Sequence, residues 1–327
     1  MSENKVKLGQ FFTKKDCWLK PQVIDFINKC NRSIVYDPFA GNGDLIKAVS
    51  GLGFKDSFCL DIDPSLGHKI NDSLITIPHI DDSIIITNPP YLAKQSATRK
   101  KLDMSKYFDS SDYDDLYLIA IERILEAQRC AVAIIPESFI NSSFKDKIKL
   151  HSITVLEENP FEDTENPVCV ACFDSNTHKS FEQIMVYKND KQVCSLAHLF
   201  SVNPVGNAPC VDSIKFNARS GWLGLHAIDG TNAKDRIRFD YKENFNYDWE
   251  NNIKVSSRHY SLIDIDIPVD KRKAFIEECN KALSTLRVCS YDLLFTPFKG
   301  NNKEGIRRRR LDFTLARAIM EKVYARI

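Results

Sequence analysis

Apolar residues in the first half of the chain fall into short runs, each stopping at a polar residue or a proline. Ser33-Ile34-Val35-Tyr36 stops at Asp37 and is followed by a glycine-containing turn, after which Leu45 to Val49 begins a helix. Ser57-Phe58-Cys59-Leu60 stops at Asp61, Ser83 to Thr87 runs directly into Asn88, and Ala131 to Ile135 stops at Pro136. Thr154 to Leu156 and Val168 to Phe173 supply further strands. Between them, Leu116, Ile119, Ala120, Ile124 and Ala127 share one side of a helix spanning 116–127. Strands alternating with amphipathic helices predict an α/β domain on a parallel sheet with helices on both faces.

In such sheets ligands bind beyond the carboxyl ends of the strands, so Asp37, Asp61, Asn88 and Pro136 are expected on one rim. After about residue 190 the pattern changes. Residues 202–249 are rich in Asn, Gly, Asp, Arg and aromatics, and amphipathic helices are expected over 271–286 and 311–326. A boundary near 190–200 separates a catalytic domain, 1–195, from a smaller mixed α/β domain, 196–327.

Composition adds exclusions. At 43% hydrophobic and 27% charged residues the chain reads as an ordinary folded protein, neither disordered nor fibrous. Its net charge of +1 excludes a strongly basic coat protein. A local basic face remains available, because Lys303 to Ile327 carries eight basic and three acidic residues, including Arg307-Arg308-Arg309-Arg310. The polar amino terminus and the lack of a bilayer-length apolar run predict a cytoplasmic protein with reduced cysteines. Cys169 and Cys172 have CxxC spacing, but they lie on a predicted strand where residues three apart face opposite ways, so no metal is expected.

Three stretches carry chemistry. In Asp37-Pro38-Phe39-Ala40-Gly41-Asn42-Gly43, two glycines let the backbone turn tightly toward a ligand at a helix start. The leading acid would repel a pyrophosphate and suits the cationic amino group of S-adenosylmethionine, although a dinucleotide or a plain tight turn would use similar residues. Asp61 can accept hydrogen bonds from both ribose hydroxyls, with Ile62 against the adenine ring. Asn88-Pro89-Pro90-Tyr91 is the sharpest signal. The Asn side-chain oxygen and a Pro carbonyl can each accept one hydrogen of an aromatic amine, turning its lone pair toward a methyl group, while the prolines keep the loop stiff.

Together these motifs resemble the gamma class of amino-methylating DNA methyltransferases from restriction–modification systems. The resemblance covers roughly 8–175. It implies a Rossmann-like methyltransferase sheet, S-adenosylmethionine as methyl donor, no metal, and transfer to the N6 amino group of a flipped adenine in duplex DNA. Leu8-Gly9-Gln10-Phe11-Phe12-Thr13 resembles the class's first motif, placing Gln10, Phe12 and Thr13 near the donor's methionine part; Lys14 stands where the class usually has Pro. Phe39 or Phe12 would meet the sulfonium. Gly41 and Gly43 belong to the donor loop, and Asp72, 16 residues before Asn88, takes the adenine-binding position, with Asp81-Asp82 as competitors. Asp115, in Asp115-Leu116-Tyr117, lines the donor pocket. Phe161, in Asn159-Pro160-Phe161, is implied to stack on the flipped base opposite Tyr91. No Pro-Cys loop of the cytosine-C5 enzymes is present.

The resemblance makes the second domain the reader of a DNA site. Arg219 and Arg258, in segments mixing donors with aromatics, and Lys299, Arg307 and Arg308 are its candidate contacts. A monomer acting alongside a cognate endonuclease, without a stable complex, is expected. The same Asn-Pro-Pro-Tyr loop also serves enzymes that methylate RNA bases or a protein glutamine. Because the donor motifs come first and the extra mass follows, DNA is favoured. A non-catalytic nucleic-acid-binding scaffold is the remaining reading, against which the intact Asn88, Tyr91, Asp37 and Asp61 stand.

Overall fold

The computed structural model describes residues 16–161, 164–232 and 234–327. It divides into two compact units, Met1–Ala197 and His198–Ile327.

The first unit is built on nine strands, β1 (Ile34–Asp37), β2 (Asp56–Asp61), β3 (Lys69–Ile70), β4 (Ser83–Thr87), β5 (Cys130–Pro136), β6 (Leu150–Val155), β7 (Val168–Asp174), β8 (Met185–Lys188) and β9 (Lys191–Ser195). They form one sheet in the order β3-β2-β1-β4-β5-β7-β6-β8-β9. Strands β1 to β5 are mutually parallel, so their carboxyl ends share one edge. β7 runs antiparallel to β5 and β6, pairing Val168 with Pro136. The β6–β7 connection, carrying Phe161, therefore returns to that same edge.

Burial explains why the central strands show so clearly as apolar runs. Every residue of β4 and all of Cys130–Ile135 are buried, as expected for parallel strands covered on both faces. The helix Leu116–Ala127 buries nine of its twelve residues and the helix Pro21–Cys30 buries Val23, Phe26 and Ile27. Each such side chain contributes roughly 1.5–3 kcal/mol. Proline at the first position of the second helix is tolerated because that residue's N–H has no intrahelical partner. The unexpected β8–β9 hairpin is a partly exposed edge, turning at Asn189 with φ 50°.

The second unit carries an antiparallel sheet of β10 (Lys215–Phe216), β11 (Leu223–His226), β12 (Arg238–Tyr241) and β13 (Tyr260–Asp264), ordered β10-β13-β11-β12. A hairpin of β14 (Thr296–Asn301) and β15 (Arg307–Arg310) and the helices Arg272–Cys289 and Phe313–Tyr324 complete it. Gly224 on β11 permits a close approach, since a Cβ there would lie 2.6 Å from the Phe245 ring. Buried Asp229 accepts both terminal nitrogens of Arg287 at 2.8 Å, the bidentate geometry that compensates a buried charge.

Candidate active site

The strand order reverses between β1 and β4, with β2 and β3 on one side and β5 on the other. In an open α/β sheet this reversal opens a crevice at the carboxyl ends. Asp37 ends β1 and Thr87 ends β4, and the Thr87 hydroxyl donates to Asp37 Oδ1 at 2.6 Å. The Phe39 N–H donates to the same oxygen at 3.0 Å. Burial pushes the Asp37 carboxyl up to about 7, against the pull of these two donors and with help from the nearby charge of Asp61.

A carboxyl raised in this way binds its proton more tightly folded than unfolded. Its contribution to stability is present below about pH 4 and is lost as pH climbs through about 7, a swing of up to roughly 4 kcal/mol. Asp37→Asn keeps an acceptor oxygen and removes the ionisation. In melting experiments without donor, the variant is expected to gain on the native protein at pH 8, with the gap closing toward pH 5. A gap independent of pH would contradict the raised carboxyl.

The loop after β1 is shaped by β2. Ala40 N–H donates to the Leu60 carbonyl at 2.9 Å and Gly41 N–H to Asp61 Oδ2 at 2.8 Å. The other oxygen of Asp61 accepts from Asp63 N–H at 2.9 Å. Each carboxylate oxygen thus carries one backbone donor and keeps a lone pair, so the two remaining sites are fixed in direction. Gly43 starts the helix Asp44–Ala48 at φ 73°, a left-handed conformation that a side chain would strain.

A small pocket of about 40 Å³ opens beside these groups. Asp61 and Asp72 give it two acids, while Phe39, Ile62, Leu74 and Pro90 are among its apolar walls. Apolar walls for a flat ring beside an acid for a sugar suit a nucleoside, so these residues fit the adenosyl half of the expected donor. Asp72 reaches the pocket, whereas Asp81 and Asp82 precede β4 at the opposite end of the sheet, where Asp82 meets Arg32 at 3.7 Å. The Asp72 carboxylate is engaged within the protein: its Oδ2 accepts from Lys106 Nζ at 2.9 Å and from the Tyr107 hydroxyl at 3.0 Å. Asp115 stands ahead of the helix Leu116–Ala127 and forms an antiparallel bridge with Ala93. Burial, with Asp114 close by, raises its carboxyl. Leu116, its neighbour, is the residue that lines the pocket.

The Asn88 loop leaves β4 on the next part of the rim. Prolines at 89 and 90 have no N–H to extend the β4–β5 ladder, whose register stops at Thr87↔Ala133. Tyr91 turns inward instead. Its hydroxyl lies within hydrogen-bond reach of Asn88 Oδ1 and of the Ile134 carbonyl at 2.6 Å. Burial pushes its phenol well up, which keeps the proton on the oxygen.

Here the expected two-faced grip on a base differs from the geometry. The Tyr91 and Phe161 rings meet edge to face, with centroids 6.3 Å apart at 64°, and both pack against the apolar core. A base between two faces needs near-parallel planes roughly 7 Å apart, twice the van der Waals contact distance. The rings fill each other's space, and the Tyr117 ring stands perpendicular to Tyr91 with centroids 6.4 Å apart. A side-chain rotation is required before a base can enter between them.

In the second unit, Arg219 and Lys299 are exposed. Arg258 is exposed and lies over the Phe313 ring at 4.4 Å while donating to the Val255 and Ser257 carbonyls. The arginine run is a strand, so its side chains alternate. Arg309 is buried, and Arg308 Nε donates to the Asp229 carbonyl at 2.7 Å with its guanidinium over Phe298. Arg307 is half-buried. Within the run Arg309 serves the fold, while Arg307, Arg308 and Arg310 are partly exposed. Gln10, Phe12 and Thr13 lie outside the described residues. Cys169 and Cys172 are buried free thiols on β7, and no cluster of three metal-ligating side chains exists among the described residues. None of the described helices is long and apolar enough to cross a membrane.

Lys106 and Tyr107 carry no signal in the sequence, and Thr87 shows there only as the last residue of a strand. Thr87 is an unremarkable strand residue until its pairing with Asp37 is seen. Lys106 and Tyr107 lie on the single-turn helix Ser105–Phe108, too short to show periodicity.

Residues 78–163 match a family model described as Eco57I restriction-modification methylase, a segment that includes the Asn88 loop and Phe161. No curated protein matches the sequence. Among solved structures, the chain is similar to the EcoKI M protein of a type I restriction enzyme, with 16% identity over 87% of this chain and 72% of that one and a TM-score of 0.39. It is also similar to a type I restriction-modification methyltransferase subunit from Streptococcus thermophilus, at 15% identity, over 59% of this chain and 52% of that one, TM-score 0.38. An rRNA methylase from the same organism aligns at 16% identity over 47% of this chain and 93% of that one, TM-score 0.26. The chain spans about half the length of the type I subunit.

Proposed function

We propose that the protein is an S-adenosylmethionine-dependent DNA methyltransferase that modifies the N6 amino group of adenine. The observation that carries this reading is the continuity of the two halves of the site. Pro90, two residues from Asn88, is itself a wall of the pocket that holds Asp61 and Asp72. The match of residues 78–163 to a restriction-modification methylase model supports the same reading.

The donor, when bound, supplies a methyl group made electrophilic by its sulfonium. The chain's own residues do the rest. Asp61 receives the two ribose hydroxyls on its remaining lone pairs, and Ile62 and Pro90 pack on the purine. Asp37 Oδ1 is occupied by Thr87 and Phe39, which leaves Oδ2 for a cationic amine. Asn88 Oδ1 and the Pro89 carbonyl each accept a hydrogen of the adenine amine, directing its lone pair at the methyl group. A base inside a duplex cannot reach this rim, so the adenine is flipped out, and rotation of Tyr91 or Phe161 admits it. Arg219, Arg258, Lys299, Arg307 and Arg308 in the second unit contact the DNA, and modification protects the site from a cognate endonuclease.

Incubation with methyl-labelled donor and, in parallel, duplex DNA, structured RNA or a protein extract tests the substrate class. Label is expected in the DNA. Label confined to RNA or protein would overturn the proposal.

A further inference from the structure

In the second unit, the sheet ends in a pair of histidines that the proposed chemistry does not use. His226 closes β11, where it pairs with Arg238 on β12 and Tyr260 on β13. Its side chain is buried, whereas His259 beside it is exposed. The two Nε2 atoms lie 3.2 Å apart and the ring centroids 5.2 Å apart, so each ring points that nitrogen at the other. Tyr260 stacks on both rings, at 4.8 and 4.9 Å, which holds their planes.

The surroundings fix where the protons on this pair lie. His226 Nδ1 faces two acceptors, the Arg236 carbonyl at 3.2 Å and Asp235 Oδ1 at 3.4 Å, so it carries a hydrogen. Burial lowers the His226 pKa, although Asp235 and the Arg236 carbonyl favour the charged form. The ring is therefore neutral at neutral pH, and its Nε2 bears a lone pair. The bond between the rings then places a hydrogen on His259 Nε2. Burial, His226 and the charge of Arg308 lower the His259 pKa as well, with Asp235 pulling the other way. His259 Nδ1 is left with a lone pair and, among the described residues, no partner.

Basic side chains gather around this acceptor. Arg308 stands beside His259, and Arg236 and Arg238 accompany His226. Lys303 is tied to the β11–β12 connection by a bond from its N–H to the Thr231 carbonyl at 2.9 Å. Set against them are Asp235, Glu304 and the internally paired Asp229. Such a surface suits a phosphate backbone. Phosphates offer no hydrogen to His259 Nδ1, but base edges do.

We infer that His259 is a specificity-determining residue, whose Nδ1 accepts a hydrogen bond from the exocyclic amine of adenine or cytosine in the DNA major groove. There adenine N6 and cytosine N4 are donors, whereas guanine O6 and thymine O4 are acceptors. An acceptor nitrogen facing O6 or O4 sets lone pair against lone pair. His259 thus admits adenine or cytosine at one position of the target and rejects guanine and thymine. His226 is the positioning residue behind it, because its buried Nε2 dictates which nitrogen of His259 keeps the lone pair. The inference rests on the proposed contact between the second unit and DNA.

Two measurements test it. Ring-nitrogen chemical shifts of isotopically labelled histidine in the free protein at neutral pH are expected to show the Nδ1–H form for His226 and the Nε2–H form for His259. A hydrogen on His259 Nδ1 would overturn the inference whatever the substrate. The second measurement is methylation of a randomised duplex library, followed by sequencing that detects modified bases. The native protein is expected to select a motif with one position that excludes guanine and thymine by about tenfold. His259→Ala is expected to relax that position and keep the rest of the motif. An unchanged motif in a folded His259→Ala variant would overturn the inference and leave the proposed function standing. Modification of RNA or protein, with none in the library, would overturn the proposed function and this inference with it.

Discussion

Asn88→Ala is expected to lower methyl transfer to DNA by about 10³-fold while donor affinity, measured by titration calorimetry, stays within about twofold of native. The size follows from what is removed. A prearranged acceptor directed at the reacting group is worth roughly 10²–10³ in rate when a comparable polar contact is deleted from other enzymes. Here it also sets the orientation of the amine, on which in-line attack depends. Donor affinity is spared because Pro90, and not Asn88, lines the pocket proposed for the donor. Loss of donor binding in parallel with rate would show that Asn88 shapes the pocket and would remove its assigned role.

Asp61→Ala is expected to do the reverse, weakening donor binding by about 10²-fold or more. Two charge-assisted hydrogen bonds to ribose hydroxyls account for most of this. The rest comes from the protein, because the Gly41 and Asp63 N–H groups lose their acceptor and the glycine loop loses its tie to β2. With saturating donor, kcat is expected to remain within about fivefold of native. Unchanged donor affinity in a folded Asp61→Ala variant would place the donor elsewhere.

The contrast between these two residues shows what a sequence can disclose. Asp61 and Asn88 stand out because each follows the apolar run of a parallel strand that stops abruptly at the rim. The buried β4, Ser83 to Thr87, is the clearest case. The contacts that hold these residues were hidden because they join positions far apart in the chain. Thr87 and Asp37 are 50 residues apart, and Tyr91 and Ile134 are 43 apart. Neither pairing leaves a local pattern.

Ring orientation and the facing of strand side chains are equally hidden. Residue type says nothing of ring orientation, and the Tyr91 and Phe161 rings meet edge to face. Four consecutive arginines look like a basic surface, yet on a strand neighbouring side chains face opposite ways, and Arg309 is buried. Edge strands such as β8 and β9 are not legible in the sequence because partial exposure removes the apolar signal on which strand recognition depends.

The central claim is adenine N6 methylation of DNA, and nucleoside analysis tests it most directly. Duplex DNA treated with the protein and S-adenosylmethionine is digested to nucleosides and resolved by mass spectrometry. The expected result is N6-methyldeoxyadenosine, absent when Asn88→Ala replaces the native protein. A product methylated on cytosine, or no methylated deoxynucleoside from any duplex while RNA or protein is modified, would contradict the assignment.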